Sequence, residues 1–257
     1  MNNSYYTMTN GVRLSFDSEW KKAEELIASA KTMKEMKELD SYAIEHKGIP
    51  SLWLMENAAK AVVDTVAEYA SDSKDDAKIR QTKICIICGA GNNGGDGVAC
   101  AYMLMDKGYQ VKAYLCGKEE KMTPDERAME ERLIARGGKL IKWFASSSCD
   151  CNVPSEEVNL IRDIKEADCV IDALFGVGIS RSIEGLYADI IAALNQAKII
   201  VACDIPSGIN GDTGEVMGCA VKADVTVTFS YIKQGLTKAA AADNVGLLKV
   251  VPIGLPE

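Results

Sequence analysis

From residue 83 onward, short apolar runs alternate with helical patterns, and this alternation constrains the fold more than anything else in the chain. Runs at 83–88, 110–116, 139–143, 169–174, 198–203, 225–229 and 247–251 read as strands. Several are continuously apolar rather than alternating, as expected where both faces of a parallel sheet are covered. Helical patterns fit between them at 95–107, 123–136 and 185–196. The expected fold is α/β: a Rossmann-like three-layer α/β/α sandwich with a mostly parallel central sheet. No internal repeat or Pro/Gly linker divides it.

Ahead of this region, Thr32 and Glu35 form a T-x-x-E capping box, with Met36, Leu39, Ala43 and Ile44 on one helical face. Gly48 and Pro50 end that helix. A second runs from Ser51 to about Ala70, with Leu52, Met55, Ala59, Val62, Val63 and Val66 as its buried stripe. The charged stretch 71–78 reads as a surface loop. Residues 1–30 read as an N-terminal extension to a domain spanning 31–257: the first ten are polar and aperiodic, while Trp20, Ala23 and Ile27 sit at helical spacing.

The formal net charge of −8 argues against nucleic acid or an anionic membrane as partner. No apolar run approaches the ~20 residues of a membrane span, and the N-terminus lacks the blocks of a signal peptide. A cytoplasmic protein is expected. Nine cysteines, mostly in apolar segments, read as reduced core thiols. Cys85 and Cys88 form a C-x-x-C, but in a strand they point to opposite faces. Cys149 and Cys151 lack a second pair at zinc spacing. The single histidine, His46, lies between charges near a helix end and reads as solvated.

In a doubly wound sheet, ligands bind beyond the carboxyl ends of the strands. Three segments fall there: Gly89-Ala90-Gly91-Asn92-Asn93-Gly94-Gly95-Asp96-Gly97, the run Asp172 to Ser182, and Asp204-Ile205-Pro206-Ser207-Gly208. The first contains G-x-G-x-x-G, the dinucleotide fingerprint. Its context does not suit a redox cofactor. The strand ending near Cys116 lacks the ribose-binding acid, since Glu119 comes too late. Asp96 would sit in the first helical turn, where a carboxylate repels a phosphate. Asn92 and Asn93 offer oxygens suited to a cation, and amides suited to hydroxyl or amide groups.

Together these segments resemble the NAD(P)H-hydrate epimerase family, of the YjeF N-terminal type, as do 36–44, Gly48-Ile49-Pro50-Ser51 and Met55-Glu56-Asn57-Ala58. The resemblance extends from Thr32 to the C-terminus. It implies an isomerase that interconverts the R and S epimers of NADHX and NADPHX, nicotinamide nucleotides hydrated at C6. It also implies one potassium ion per subunit, held by Asn93, Asp172 and Ser207, each with an oxygen to offer. Substrate contacts are expected from Asn92, Asn93, Gly94, Gly95 and Asp96, from Gly176, Val177, Gly178, Ile179, Ser180, Arg181 and Ser182, and from Asp204.

Inverting C6 requires the hydroxyl to leave with help from the ring nitrogen, and water to return on the opposite face. A carboxyl must protonate the first oxygen and deprotonate the second. Asp204 is the candidate, and Asp96 the alternative. Lys233 reads as a solvated lysine that could approach a phosphate. Ala90 stands where many members carry proline, and Val177 where many carry threonine, leaving Ser180 or Ser182 to meet phosphate. The resemblance implies a homodimer and a functional partnership with an NAD(P)HX dehydratase, fused or separate. The chain stops near where such a fusion would begin, so no dehydratase activity is expected. The other reading is a non-catalytic nucleotide-binding or scaffold module of the same fold.

Overall fold

The computed structural model describes residues 3–17, 21–70, 75–143, 155–176, 178–179 and 181–256. In chain order these form β1 (Asn3–Thr7), β2 (Arg13–Asp17), α1 (Ala23–Ala28), α2 (Met33–Ser41), α3 (Ser51–Ala70), α4 (Asp76–Ile79) and β3 (Lys83–Cys88). Then follow α5 (Asn92–Asp106), β4 (Gln110–Leu115), α6 (Pro124–Ala135), β5 (Leu140–Lys142), α7 (Ser155–Glu166), β6 (Cys169–Ala173) and α8 (Leu186–Leu194). The chain ends with β7 (Ile200–Cys203), β8 (Val225–Phe229), α9 (Ala242–Val245) and β9 (Leu247–Val251).

One nine-stranded sheet has the order β1-β2-β9-β8-β7-β6-β3-β4-β5. All pairs are parallel except β1 with β2. The expected three-layer α/β/α arrangement follows. On one face α3 and α5 bury Val62, Val66, Val98 and Leu104 against Ile84, Ile86, Ile171 and Val201. On the other, α7 and α8 bury Leu160, Ile164, Ile190 and Leu194 against Ile87, Val170 and Ile200. Strand alternation sends Cys85 into the second core and Cys88 into the first, as their spacing requires. The chain winds outward through β3, β4 and β5, then crosses back to place β6 on the other side of β3. The switch point therefore lies between β3 and β6, the position at which doubly wound sheets bind their ligands.

Four local expectations need correction. The first ten residues, read as aperiodic, hold the strand β1, and the segment after them joins the sheet: β2 pairs with β9, and Leu14 and Phe16 are buried in a third core with α1. Within 71–78, Asp76–Ile79 is a helical turn, with the Asp75 side chain accepting from Ala77 N. The helix that starts at Thr32 passes into a wider π-turn over Tyr42–His46. The extra residue in that turn keeps Ala43 buried but leaves Ile44 39% exposed. Finally, α5 begins at Asn92, three residues ahead of Gly95. Trp20, Cys149 and Cys151 lie outside the described residues. His46 is exposed, as expected. No helix among the described residues is long and apolar enough to cross a membrane.

Candidate active site

The glycine-rich turn joins β3 to α5 at the switch point. Gly91, the residue before the helix, has φ +147° and an open flank where a side chain would meet nothing within 4 Å. The other glycines are there for close packing. A Cβ on Gly89 would lie 1.9 Å from the Leu174 carbonyl, and one on Gly97 would lie 2.7 Å from the Ala173 Cβ. The Gly89 N–H donates to Ala173 O at 3.0 Å, which locks the turn to the end of β6. Gly94 and Gly95 are both buried, and the Gly95 N–H is taken by Gly91 O at 2.9 Å. Of these two, Gly94 alone keeps an N–H outside the helix ladder, as residues of a first turn do.

Beneath this turn lies Glu126, a fully buried carboxylate that sequence reasoning passed over. It is the third residue of α6, where T-x-x-E reads as a capping box. Its Oε2 instead accepts the Gly91 N–H at 2.9 Å, and its Oε1 is buried with no partner. Burial pushes its pKa up to about 7, partly offset by the Gly91 N–H. The sign follows directly. An unfolded glutamate loses its proton near pH 4.5, so the folded protein is penalised as pH rises towards 7. The penalty above that is about 3 kcal/mol. Glu126→Gln keeps an acceptor for Gly91 and carries no charge. Its thermal midpoint should therefore exceed that of the unmodified chain at pH 8 and match it near pH 5; equal midpoints at pH 8 would contradict this account.

Two side-chain clusters flank the turn. The first joins the ends of β6 and β7. Asp172 is fully buried and accepts from Ser207 N at 2.8 Å, Ser207 Oγ at 2.5 Å and Leu174 N at 3.3 Å. Burial raises its pKa to about 6 against the pull of those bonds. Ser207 Oγ in turn accepts from Phe175 N at 2.8 Å. Asn93 closes the cluster from α5, with its side chain packed against Gly176. The Asn93 Nδ2 is buried without a partner, and turning the amide over would put Oδ1 in that position. The three expected cation ligands thus come from three elements converging on one corner.

The second cluster centres on Asp204. It follows β7 in left-handed conformation, φ +67°, which a residue with a branched side chain would resist. Its Oδ1 accepts from Lys233 Nζ, from Thr228 Oγ1 at 3.2 Å and from Phe229 N at 3.2 Å. Lys233 is not the solvated lysine expected: it is 1% exposed. Ser230, also left-handed at φ +58°, turns the chain back after β8 so that the ammonium enters the protein. There it finds Asp204, Thr228 Oγ1 at 3.2 Å and Phe229 O at 3.3 Å, a partner for each of its three hydrogens.

Asp96 falls in the second turn of α5, not the first, because the helix starts early. Burial raises its pKa well above the carboxylate range, and the charges of Asp204 and Asp40 push it further. Its neighbours are therefore carboxylates and Lys233. Asp40, on α2, acts on this cluster electrostatically, and sequence reasoning missed it. The signal was available, since 36, 40 and 43 fall on one helical face. Of the second glycine run, Gly176 lies against Asn93 and Gly178 faces open space. Ile179 packs on the second core, while Arg181 and Ser182 are exposed, the latter close to Gly218. Val177 and Ser180 lie outside the described residues.

The family model described as YjeF-related protein N-terminus matches residues 51–235. An NAD(P)H-hydrate epimerase of Limosilactobacillus reuteri is 39% identical over 220 residues, 85% of this chain and 92% of its own. The bifunctional NAD(P)H-hydrate repair enzyme Nnr of Moorella thermoacetica is 36% identical over 88% of this chain, which spans 40% of that longer protein. The crystal structure of the yeast protein YNL200c superposes with a TM-score of 0.66 at 22% identity, covering 80% of this chain and 82% of its own, a likeness of fold.

Proposed function

We propose, from the premise that this chain belongs to the NAD(P)H-hydrate epimerase family, that the cleft at its β3–β6 switch point inverts C6 of hydrated nicotinamide nucleotides. The chain is an isomerase of NAD(P)HX repair that interconverts the R and S epimers. One observation carries the assignment of the centre: Asp204, held left-handed at a strand end and paired with a buried lysine. Such strain and such a desolvated ion pair are costly, and they recur where a site needs a fixed charge.

Asp204 is proposed to exchange protons with the C6 oxygen. The open flank of Gly91 and the free N–H groups of the first turn of α5 suit a nucleotide's polar groups. Arg181 and Ser182 are exposed and are proposed to meet phosphate. The corner built from Asn93, Asp172 and Ser207 suits a potassium ion: every donor is an oxygen, one is a carboxylate, and one buried amide lacks a partner. Among the described residues, no group of three or more His, Cys, Asp or Glu is placed for a transition metal. Bound there, potassium would supply a fixed positive charge that neutralises Asp172 and ties Asn93 to β6 and β7. A homodimer, a cytoplasmic location and a dehydratase partner, fused or separate, are proposed on family grounds.

The test is direct. Added to purified R-NADHX in potassium buffer, the protein should raise the rate of appearance of the S epimer well above the spontaneous rate. A binding module would leave that rate unchanged, and this outcome would remove the reading.

A further inference from the structure

A single carboxylate serves one face of a ring, yet inversion needs proton transfer on both. We infer that Asp40 is the second acid–base group of this centre, acting on the face of C6 opposite to Asp204. The inference rests on the epimerase reading above.

The placement of α2 supplies the geometry. Its entrance is pinned to the segment that carries Lys233: Lys31 N donates to Ile232 O at 2.8 Å, and Gln234 N donates to Lys31 O at 2.8 Å. Met33 N donates to Asp212 Oδ1 at 2.7 Å, from the loop that follows Ser207. From this anchor, Met36, Asp40 and Ala43 descend one face, and Met36 and Ala43 are buried. Asp40 shares that stripe with the buried Met36 and Ala43 yet stays exposed, so its carboxyl faces open space rather than the packed core. It interacts electrostatically with Lys233 and Asp204, and its charge is felt by Asp96. Asp204 enters the cluster from the sheet and Asp40 from the helix, so a planar ring between them would meet a carboxyl on each side.

Asp40 is also the member free to act. Asp204 commits its Oδ1 to Lys233, Thr228 and Phe229 N, which leaves Oδ2 for proton exchange. Burial and the neighbouring carboxylates push the Asp96 pKa up. Asp40 is open to solvent and makes no hydrogen bond or ion pair among the described residues. The surrounding protein still raises its pKa to about 6, mainly by desolvation, with Lys233 opposing and Asp204 adding to the shift. A group near 6 can both give and accept a proton close to neutrality.

The chemistry balances with one proton shared between the two. The C6–O bond breaks as the N1 lone pair forms C6=N1⁺. The departing oxygen takes the Asp40 proton and leaves as water. A second water adds to the other face, N1 recovers its pair, and that water's proton passes to Asp204. No electrons are gained or lost. The opposite epimer starts from the swapped protonation state.

The test uses substrate carrying ¹⁸O in the C6 hydroxyl and follows inversion and label loss together. In Asp40→Asn, inversion should fall by about 10²-fold or more. Label loss from the epimer whose hydroxyl faces Asp204 should outlast inversion, because oxygen can still leave and return on that face. Asp40→Glu should recover much of the inversion, and it carries the test if Asp40→Asn lowers the thermal midpoint. Unchanged inversion in Asp40→Asn, or inversion and label loss falling in parallel, would overturn the assignment. Failure of the unmodified enzyme to invert NADHX would instead overturn the epimerase reading.

Discussion

Asp204→Ala should abolish measurable turnover and also weaken the fold, so activity alone cannot report its role. Removing a positioned acid–base group costs about 10²–10⁴-fold in rate. From the sequence alone, folding is expected to stay intact in this variant. The structure changes that expectation. Lys233 is 1% exposed, and without Asp204 its ammonium is left buried and uncompensated. Losing one member of a buried ion pair costs about 3–5 kcal/mol, enough to lower the thermal midpoint by several degrees.

The double variant Asp204→Asn with Lys233→Met separates the two effects. Asparagine tolerates the left-handed backbone at φ +67°, and methionine fills the space of the lysine stem without a charge. Stability should return to near that of the unmodified chain, while R-to-S inversion should remain absent. If the double variant is stable and still inverts NADHX, Asp204 is not an acid–base group. If Asp204→Ala is as stable as the unmodified chain, the pair does not hold the buried lysine as described.

The sheet from β3 onward was legible because continuous apolar runs of this length leave few alternatives to buried parallel strands. The hairpin of β1 and β2 was not read, although Asn10-Gly11 is a strong turn signal and Gly11 adopts φ +88°. Polar and aromatic residues at an edge dilute the alternation that would have marked it, and its partner β9 lies over two hundred residues away. The strand-end residues Asn93, Asp172, Asp204 and Ser207 were found because topology alone sends such positions to one rim. Lys233 and Glu126 were misread or missed for a shared reason. Each is an ordinary surface residue by type; Lys233 is turned inward by the left-handed backbone at Ser230, and Glu126 is buried against the turn whose Gly91 N–H it accepts. Asp40 shows the converse: its helical phase was visible, but the groups it faces come from β7, α5 and the segment after β8.

Potassium should stabilise the protein more at pH 8 than at pH 5, and Asp172→Asn should erase the difference. Asp172 is fully buried, and its pKa is raised to about 6. Unfolded, the same group ionises near 3.8. The folded state thus carries a penalty that is absent below about pH 4 and complete once pH passes 6. A cation beside the carboxylate acts with the opposite sign, favouring the charged form. Its stabilising effect must therefore be largest where Asp172 would otherwise be ionised and alone. At about 100-fold excess over Kd the gain is about 2.7 kcal/mol.

Thermal midpoints in potassium and in tetramethylammonium chloride at matched ionic strength, taken at both pH values, give the comparison. Glu126 titrates over the same range, but it cancels when the two salts are compared at one pH. Asp172→Asn keeps an oxygen acceptor for Ser207 and removes the titration, so its midpoints should respond little to potassium at either pH. Inversion of NADHX should fall in tetramethylammonium for the unmodified enzyme, with the midpoint and the rate following the same potassium concentration. A potassium effect equal at pH 5 and pH 8, or one that survives in Asp172→Asn, would place the ion elsewhere than at the corner of Asn93, Asp172 and Ser207.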